Sequence, residues 1–245
     1  MKLSPVLLKL LTFFSGLLGL LLYLILRSSG VDDKGLLVNG YWAGRGLLVV
    51  FAVMAVGLIP LCRTIRCNAR TRVAQPGLVG ALGAFAGAAA LGATAVMELD
   101  FFQLMPFVLA QVAAASLLAV GVCHLLGRKP HFLLYVLLCA YFAIRMVNQY
   151  QIWNATPQIM EYVFYLAAYV VLMIHAYQYA ALDVGLGSFA LLWWTGLMSV
   201  FLSFVSVSRS SDTWLMLGCG IWVVTNLPRL IFVGRTRSVP PQEEV

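Results

Sequence analysis

Eight apolar runs of about 20 residues, parted by short polar breaks, limit this chain more than any other feature. About 20 mostly apolar residues make a helix that crosses roughly 30 Å of hydrocarbon. The runs cover residues 5–26, 41–62, 77–97, 101–126, 132–150, 158–180, 186–205 and 213–233. The pieces between them are too short to fold alone, since below about 40 residues a domain needs a metal, disulfides or a partner. The reading is one integral membrane domain over residues 1–245: an all-α polytopic transmembrane bundle of about eight helices with short loops. Composition points the same way. The chain is 62% hydrophobic and 10% charged, with a mean hydropathy of +0.93. Such a chain has too few charges to cover a soluble sphere. That balance excludes a soluble enzyme, a disordered tail protein, a collagen and a disulfide scaffold.

Two boundaries depend on length. One helix from 77 to 126 would be about 75 Å long, far more than a bilayer, so the break is placed at Glu98-Leu99-Asp100. The first run follows Lys2 and Lys9, as a signal peptide would. Its apolar core is longer than the usual 7–15 residues, and Arg27-Ser28-Ser29-Gly30 is a poor cleavage site, so it reads as a retained span.

Sidedness follows from the basic residues. With the N-terminus inside, the cytoplasmic segments hold eleven of the sixteen Lys and Arg: Lys2, Lys9, Arg63, Arg66, Arg70, Arg72, Arg128, Lys129, Arg229, Arg235 and Arg237. Arg27, Lys34, Arg45 and Arg209 fall outside, and Arg145 lies within a span. Both termini are therefore expected in the cytoplasm. Trp42, Trp153 and Trp214 fall at predicted outer span ends, where aromatic side chains anchor at headgroup level. The formal charge of +7 comes from this asymmetry and does not point to nucleic acid. Arg63, Arg66, Arg70 and Arg72 form the densest basic run. It reads as a contact with anionic lipid headgroups, at about 1 kcal/mol per basic residue.

Most residues that could carry chemistry have a plainer use. Cys123, Cys139 and Cys219 lie within spans and read as small packers. Cys62 and Cys67 lack the two further ligands that a structural zinc site needs and read as free thiols, so no metal or cofactor is assigned. His124, Arg128, Lys129 and His131 read as a basic inner rim. In the third run, Gly80, Ala84, Ala88 and Gly92 recur every four residues, with Gly83 and Gly87 on the adjacent face. Small residues let helix backbones approach closely in lipid. That helix is expected at the centre of the bundle, or, through Gly80, Gly83 and Gly87, at a homo-oligomer or membrane-partner seam.

The main polar constellation falls in the fifth and sixth runs. Tyr141, Arg145, Asn148 and Gln149 share one helical face. Thr156-Pro157 has the form of a helix start, and the next helix offers Glu161, Tyr165, Tyr169, His175 and Tyr179. Intramembrane ionisable residues are costly and face the bundle interior. Arg145, Asn148, Gln149, Glu161, Tyr165 and His175 are the candidate ligand-binding set, with Glu161 as the expected partner of Arg145. A structural ion pair flanked by tyrosines is the competing reading. His175 reads first as a hydrogen-bonded structural histidine, and second as a proton relay or ligand contact.

Arg145, the stretch from Trp153 to Tyr162, His175-Ala176-Tyr177 and Asp183-Val184-Gly185 together resemble a segment of uncharacterised bacterial multi-span membrane proteins. That group has no known activity, so the resemblance implies a bacterial plasma membrane and assigns no role to any residue. No Walker A loop, G-x-S-x-G or H-E-x-x-H occurs in the chain. No catalytic residue is assigned. Small-solute or ion handling through the polar site between spans five and six leads. A membrane-embedded enzyme on a lipid headgroup and a non-catalytic sensor or assembly subunit are the alternatives. The topology is testable with a membrane-impermeant thiol reagent on intact cells. Cys62 and Cys67 should label only after permeabilisation, and labelling of Cys67 from outside would reverse the orientation.

Overall fold

The computed structural model describes residues 5–30, 41–64, 73–74, 77–97, 104–154, 159–207, 212–227 and 229–230. Among these residues the chain forms eight helices: α1 (Pro5–Ser29), α2 (Trp42–Thr64), α3 (Gly77–Met97), α4 (Leu104–Leu125), α5 (Phe132–Asn154), α6 (Ile159–Asp183), α7 (Phe189–Ser206) and α8 (Thr213–Asn226). Seven of them are long and apolar enough to cross a membrane. The fold is a polytopic helical bundle, as the runs imply. Helices α3 and α4 end and begin on either side of the break at 98–100, which lies outside the described residues.

The eighth element departs from expectation. The apolar run reaches residue 233, but α8 stops at Asn226. Leu227 precedes Pro228 and takes extended backbone, φ −54° and ψ 123°. The ring of a proline disfavours helical backbone at the residue before it. Beyond it, Arg229 and Leu230 form β2, which pairs antiparallel with β1 (Val73–Ala74). The helix that remains has 14 residues and is about 21 Å long.

Packing order defines the architecture. Helices α3, α4, α5, α6, α7 and α8 follow one another round a closed ring, in which α8 returns to pack on α3. Helices α1 and α2 lie outside that ring against α7. Helix α7 therefore touches α1, α2, α6 and α8, and 72% of its span is buried. Odd-numbered helices run one way and even-numbered helices the other. Gly87 of α3 faces Leu117 of α4 and Trp222 of α8, Tyr135 stacks on Tyr179, and Ala55 accepts a hydrogen bond from Trp194. Trp42 and Trp214 lie at one end of the bundle, both more than half exposed, as headgroup anchors would be. The side chain of Trp153 lies outside the described set.

The small-residue face of α3 is turned inward. Gly80, Gly83, Ala84, Gly87 and Ala88 are buried. The carbonyl of Gly80 accepts a hydrogen bond from Asn226 Nδ2 at 3.0 Å, and Gly83 lies against Thr225. A Cβ on Gly87 would sit 3.1 Å from both Leu117 and Trp222. The face expected either as a central contact or as an intermolecular seam is thus occupied within the chain. Gly92, one helical repeat further, has open space where a Cβ would be. Replacing Gly83 or Gly87 by Leu should force α3 off α8 and cost about 1–3 kcal/mol or more. Gly92→Leu should be neutral to within about 0.5 kcal/mol. Thermal unfolding of the purified protein in detergent separates the two classes. Equal stability of all three variants would mean that α3 and α8 do not meet through this face.

Candidate functional site

Arg145 lies on the inner face of α5, nine residues before the last residue of that helix, and its side chain is 9% exposed. Its Nη2 donates to Asp212 Oδ1 at 2.6 Å, and the Asp212 side chain is 1% exposed. Asp212 occupies the N-cap position of α8 but makes no side-chain cap hydrogen bond. Its carboxylate turns into the ring instead. Oδ2 accepts from the Tyr169 hydroxyl of α6 at 2.9 Å and from Gln149 Nε2 of α5 at 3.5 Å, the weakest of the three contacts. Three helices thus converge on one carboxylate. The N-terminus of α8 adds its own preference for negative charge at that point.

The surround is aromatic and closed. Tyr165 packs edge-on to Tyr169 with centroids 5.3 Å apart, and Tyr141 and Phe142 fill the α5 side. Beside Arg145 lies a cleft bounded by Thr94, Ala95, Pro106, Phe107, Ala110 and Tyr141, with room for about one water molecule. Among the described residues, no three of His, Cys, Asp and Glu come together as a metal site.

The expected set is therefore divided. Arg145, Gln149 and Tyr165 belong to one site, with Tyr141 and Tyr169 beside them. Asn148 is half-buried and outside the network of bonds. The side chains of Glu161, Arg63, Arg66, Arg70 and Arg72 lie outside the described residues, as does the helix-start sequence Thr156-Pro157. His175 is two turns further along α6, fully buried, with Nδ1 3.2 Å from Thr195 Oγ1 of α7. His124 is 6% exposed and turns inward, while Arg128, Lys129 and His131 stay on the surface. The basic rim is thus narrower than the sequence implies. His124 sits on the ring-facing side of α4.

Two residues escaped the sequence reading. Asp212 is absent from the candidate set, although its place before Thr213 and an apolar run is an N-cap signature. Lys9 passed for an inside-rule charge. Its Nζ donates to the carbonyls of Val224 and Leu227 at 3.1 and 3.4 Å, over the last turn of α8, and lies 5.7 Å from the centre of the Trp193 ring. Nearby, the Tyr179 hydroxyl donates to the Asn226 carbonyl at 2.5 Å.

Compared with family models, curated proteins and solved structures, the chain matches none.

Removing one partner of a buried ion pair costs about 3–5 kcal/mol, because the other charge is left uncompensated. Arg145→Leu and Asp212→Leu should each lower stability by about that much. The double variant should recover much of the loss. A double-mutant cycle on detergent unfolding measures the coupling. Additive losses would mean that the two side chains do not share a site.

Proposed function

We propose that this multi-pass protein handles a small ion at the Arg145–Asp212 site. One observation carries the reading: a charged pair lies inside an apolar bundle, joining helices α5 and α8 that are not packing neighbours. A charged side chain at the bilayer centre costs about 2.5–3.5 kcal/mol on insertion scales, so such residues mark ion and substrate pathways. The adjoining cleft has room for about one water molecule, which favours an ion over a bulky organic solute. The closed ring is then a resting conformation in which Arg145 and Asp212 neutralise each other.

The same reading places the protein in a bacterial plasma membrane with both termini cytoplasmic. The end of the bundle holding Arg145 and Asp212 then faces outward. The end holding Lys9, Asn226 and the β1–β2 pair faces the cytoplasm, where Arg63, Arg66, Arg70 and Arg72 meet anionic lipid.

Purified protein in liposomes tests the function. Entry of protons, potassium or chloride should exceed that of empty vesicles and fall to background in Arg145→Leu. Tight vesicles for all three ions, with correctly folded protein at normal density, would overturn the reading.

A further inference from the structure

Helix α7 carries a row of hydroxyls at Thr195, Ser199, Ser203 and Ser206, all on its buried side. The steps of four, four and three residues keep them on one face. The row is about 16 Å long at 1.5 Å per residue. It starts beside His175 and ends at the α7 terminus, the end of the bundle where Asp212 begins α8.

These serines behave unlike the other helical hydroxyls. Thr12, Thr94, Ser116, Thr195 and Thr225 each donate to the carbonyl four residues back. That local bond is open to any helical Ser or Thr. Ser199, Ser203 and Ser206 do not make it, and their Oγ atoms have no protein partner although the residues are at most 5% exposed. A buried hydroxyl without a partner is costly and calls for an explanation.

His175 supplies an independent observation. It is fully buried, and its Nε2 has no hydrogen-bond partner. Its Nδ1 meets Thr195, the first hydroxyl of the row. Its Cε1, between the two nitrogens, would lie 2.9 Å from a Cβ on Gly196. The nitrogen-bearing edge of the ring therefore faces α7. The groups around it are the Leu192 backbone, Thr195 and Gly196 of α7, Trp222 of α8 and Tyr179 of α6, and Tyr179 stacks on Tyr135 of α5. No carboxylate faces the ring among these neighbours.

We propose that Thr195, Ser199, Ser203 and Ser206, with His175, line a hydrated path for protons that leads toward the Arg145–Asp212 end of the bundle. The proposal rests on the reading above and names its ion. Hydroxyls and imidazole both donate and accept hydrogen bonds, but the serine Oγ atoms do not bond one another, so the proton would pass along the row through water molecules held between them. At His175 one nitrogen takes a proton while the other releases one; the ring ends neutral in its other tautomer and must turn back before the next proton. The row is too tight for a hydrated metal cation, since a Cβ on Gly220 of α8 would already sit 3.2 Å from Ser203 Cβ. It also offers no anionic ligand to replace such an ion's water.

The test uses the full chain in liposomes with a trapped pH dye and an imposed proton gradient. A triple variant, Ser199→Ala with Ser203→Ala and Ser206→Ala, removes the hydroxyls without adding volume. Ser116→Ala is the control, equally buried but locally bonded. Proton entry should slow by on the order of 10²-fold in the triple variant, the low end of what a positioned proton-transfer group contributes. His175→Gln should slow it as much, and the control should not slow it. Should His175→Gln fail to fold, the triple variant decides alone. Undiminished proton entry in the triple variant would overturn the path. A raised Tm together with undiminished entry would identify the serines as dry packing residues and overturn it equally. Potassium or chloride entry without proton entry would overturn the path and leave the proposed ion function standing. No entry of any ion would instead remove the function on which the path rests.

Discussion

The bundle depends on a helix that is too short. Helix α8, at 14 residues, covers about two-thirds of a 30 Å hydrocarbon layer. At least one of its ends must stop where water cannot satisfy the unpaired N–H and carbonyl groups of a helix terminus. Both ends are met by charge of the matching sign. Asp212 stands at the N-terminal end, and Lys9 donates to two carbonyls at the C-terminal end. Each charge complements the helix dipole at its own end. Neither charge is placed for α8 alone: Asp212 is held by Arg145 and Tyr169, and Lys9 lies over Trp193. The termini of the short helix thereby fasten α1, α5, α6 and α7 to it.

Closure of the ring follows from the same helix. To reach both ends, α8 must lie close along α3, and two glycine-bearing faces make that approach possible. Gly83 and Gly87 of α3 meet Thr225 and Trp222, and Gly218 of α8 meets Ala90. Asn226 then bonds the Gly80 carbonyl across the joint. Lipid offers no hydrophobic drive for two apolar helices to associate, so close packing and interhelical hydrogen bonds must hold them. Several bulky side chains of α3 lie on its other face. Leu78, Val79, Leu82 and Val96 of α3 are exposed and suit lipid.

The sequence reveals whatever depends on the bilayer as a solvent. Seven spans are legible because no soluble fold needs runs of that length and polarity. The shortened end of α8 is not legible from hydropathy, which continues through residue 233. It is legible from Pro228, whose effect on Leu227 is steric and local. Arg145 stands out as a charge within a span. Its bond to Asp212, 67 residues away, needs ring closure, which a comparison of adjacent spans cannot supply. Adjacency of the fifth and sixth runs leads instead to Glu161, whose side chain lies outside the described residues. The α3 glycines show a similar limit. A repeat of four groups Gly92 with Gly80, but only the packed partner decides where along the helix the contact stops.

Asp212 joins the charge at the site to the position of α8. Neutralising its carboxylate, on the proposed ion-handling reading, removes the counter-charge of Arg145 and the negative charge at the α8 N-terminus in one step. Both changes weaken the hold on the same end of the same helix, so they reinforce one another. The opposite end remains fixed by Lys9 and Asn226, which do not depend on Asp212. A change of charge at the site therefore favours tilting of α8 about its Lys9 end over displacement of the whole helix. Trp222 lies near that end, with its ring centre 5.9 Å from that of His175, and such a tilt would move it least. Ser206 lies at the far end of α7, the end of the bundle where Asp212 begins α8. The hydroxyl row would thus open at its Asp212 end while His175 keeps its surroundings, as a path gated by its own ion requires.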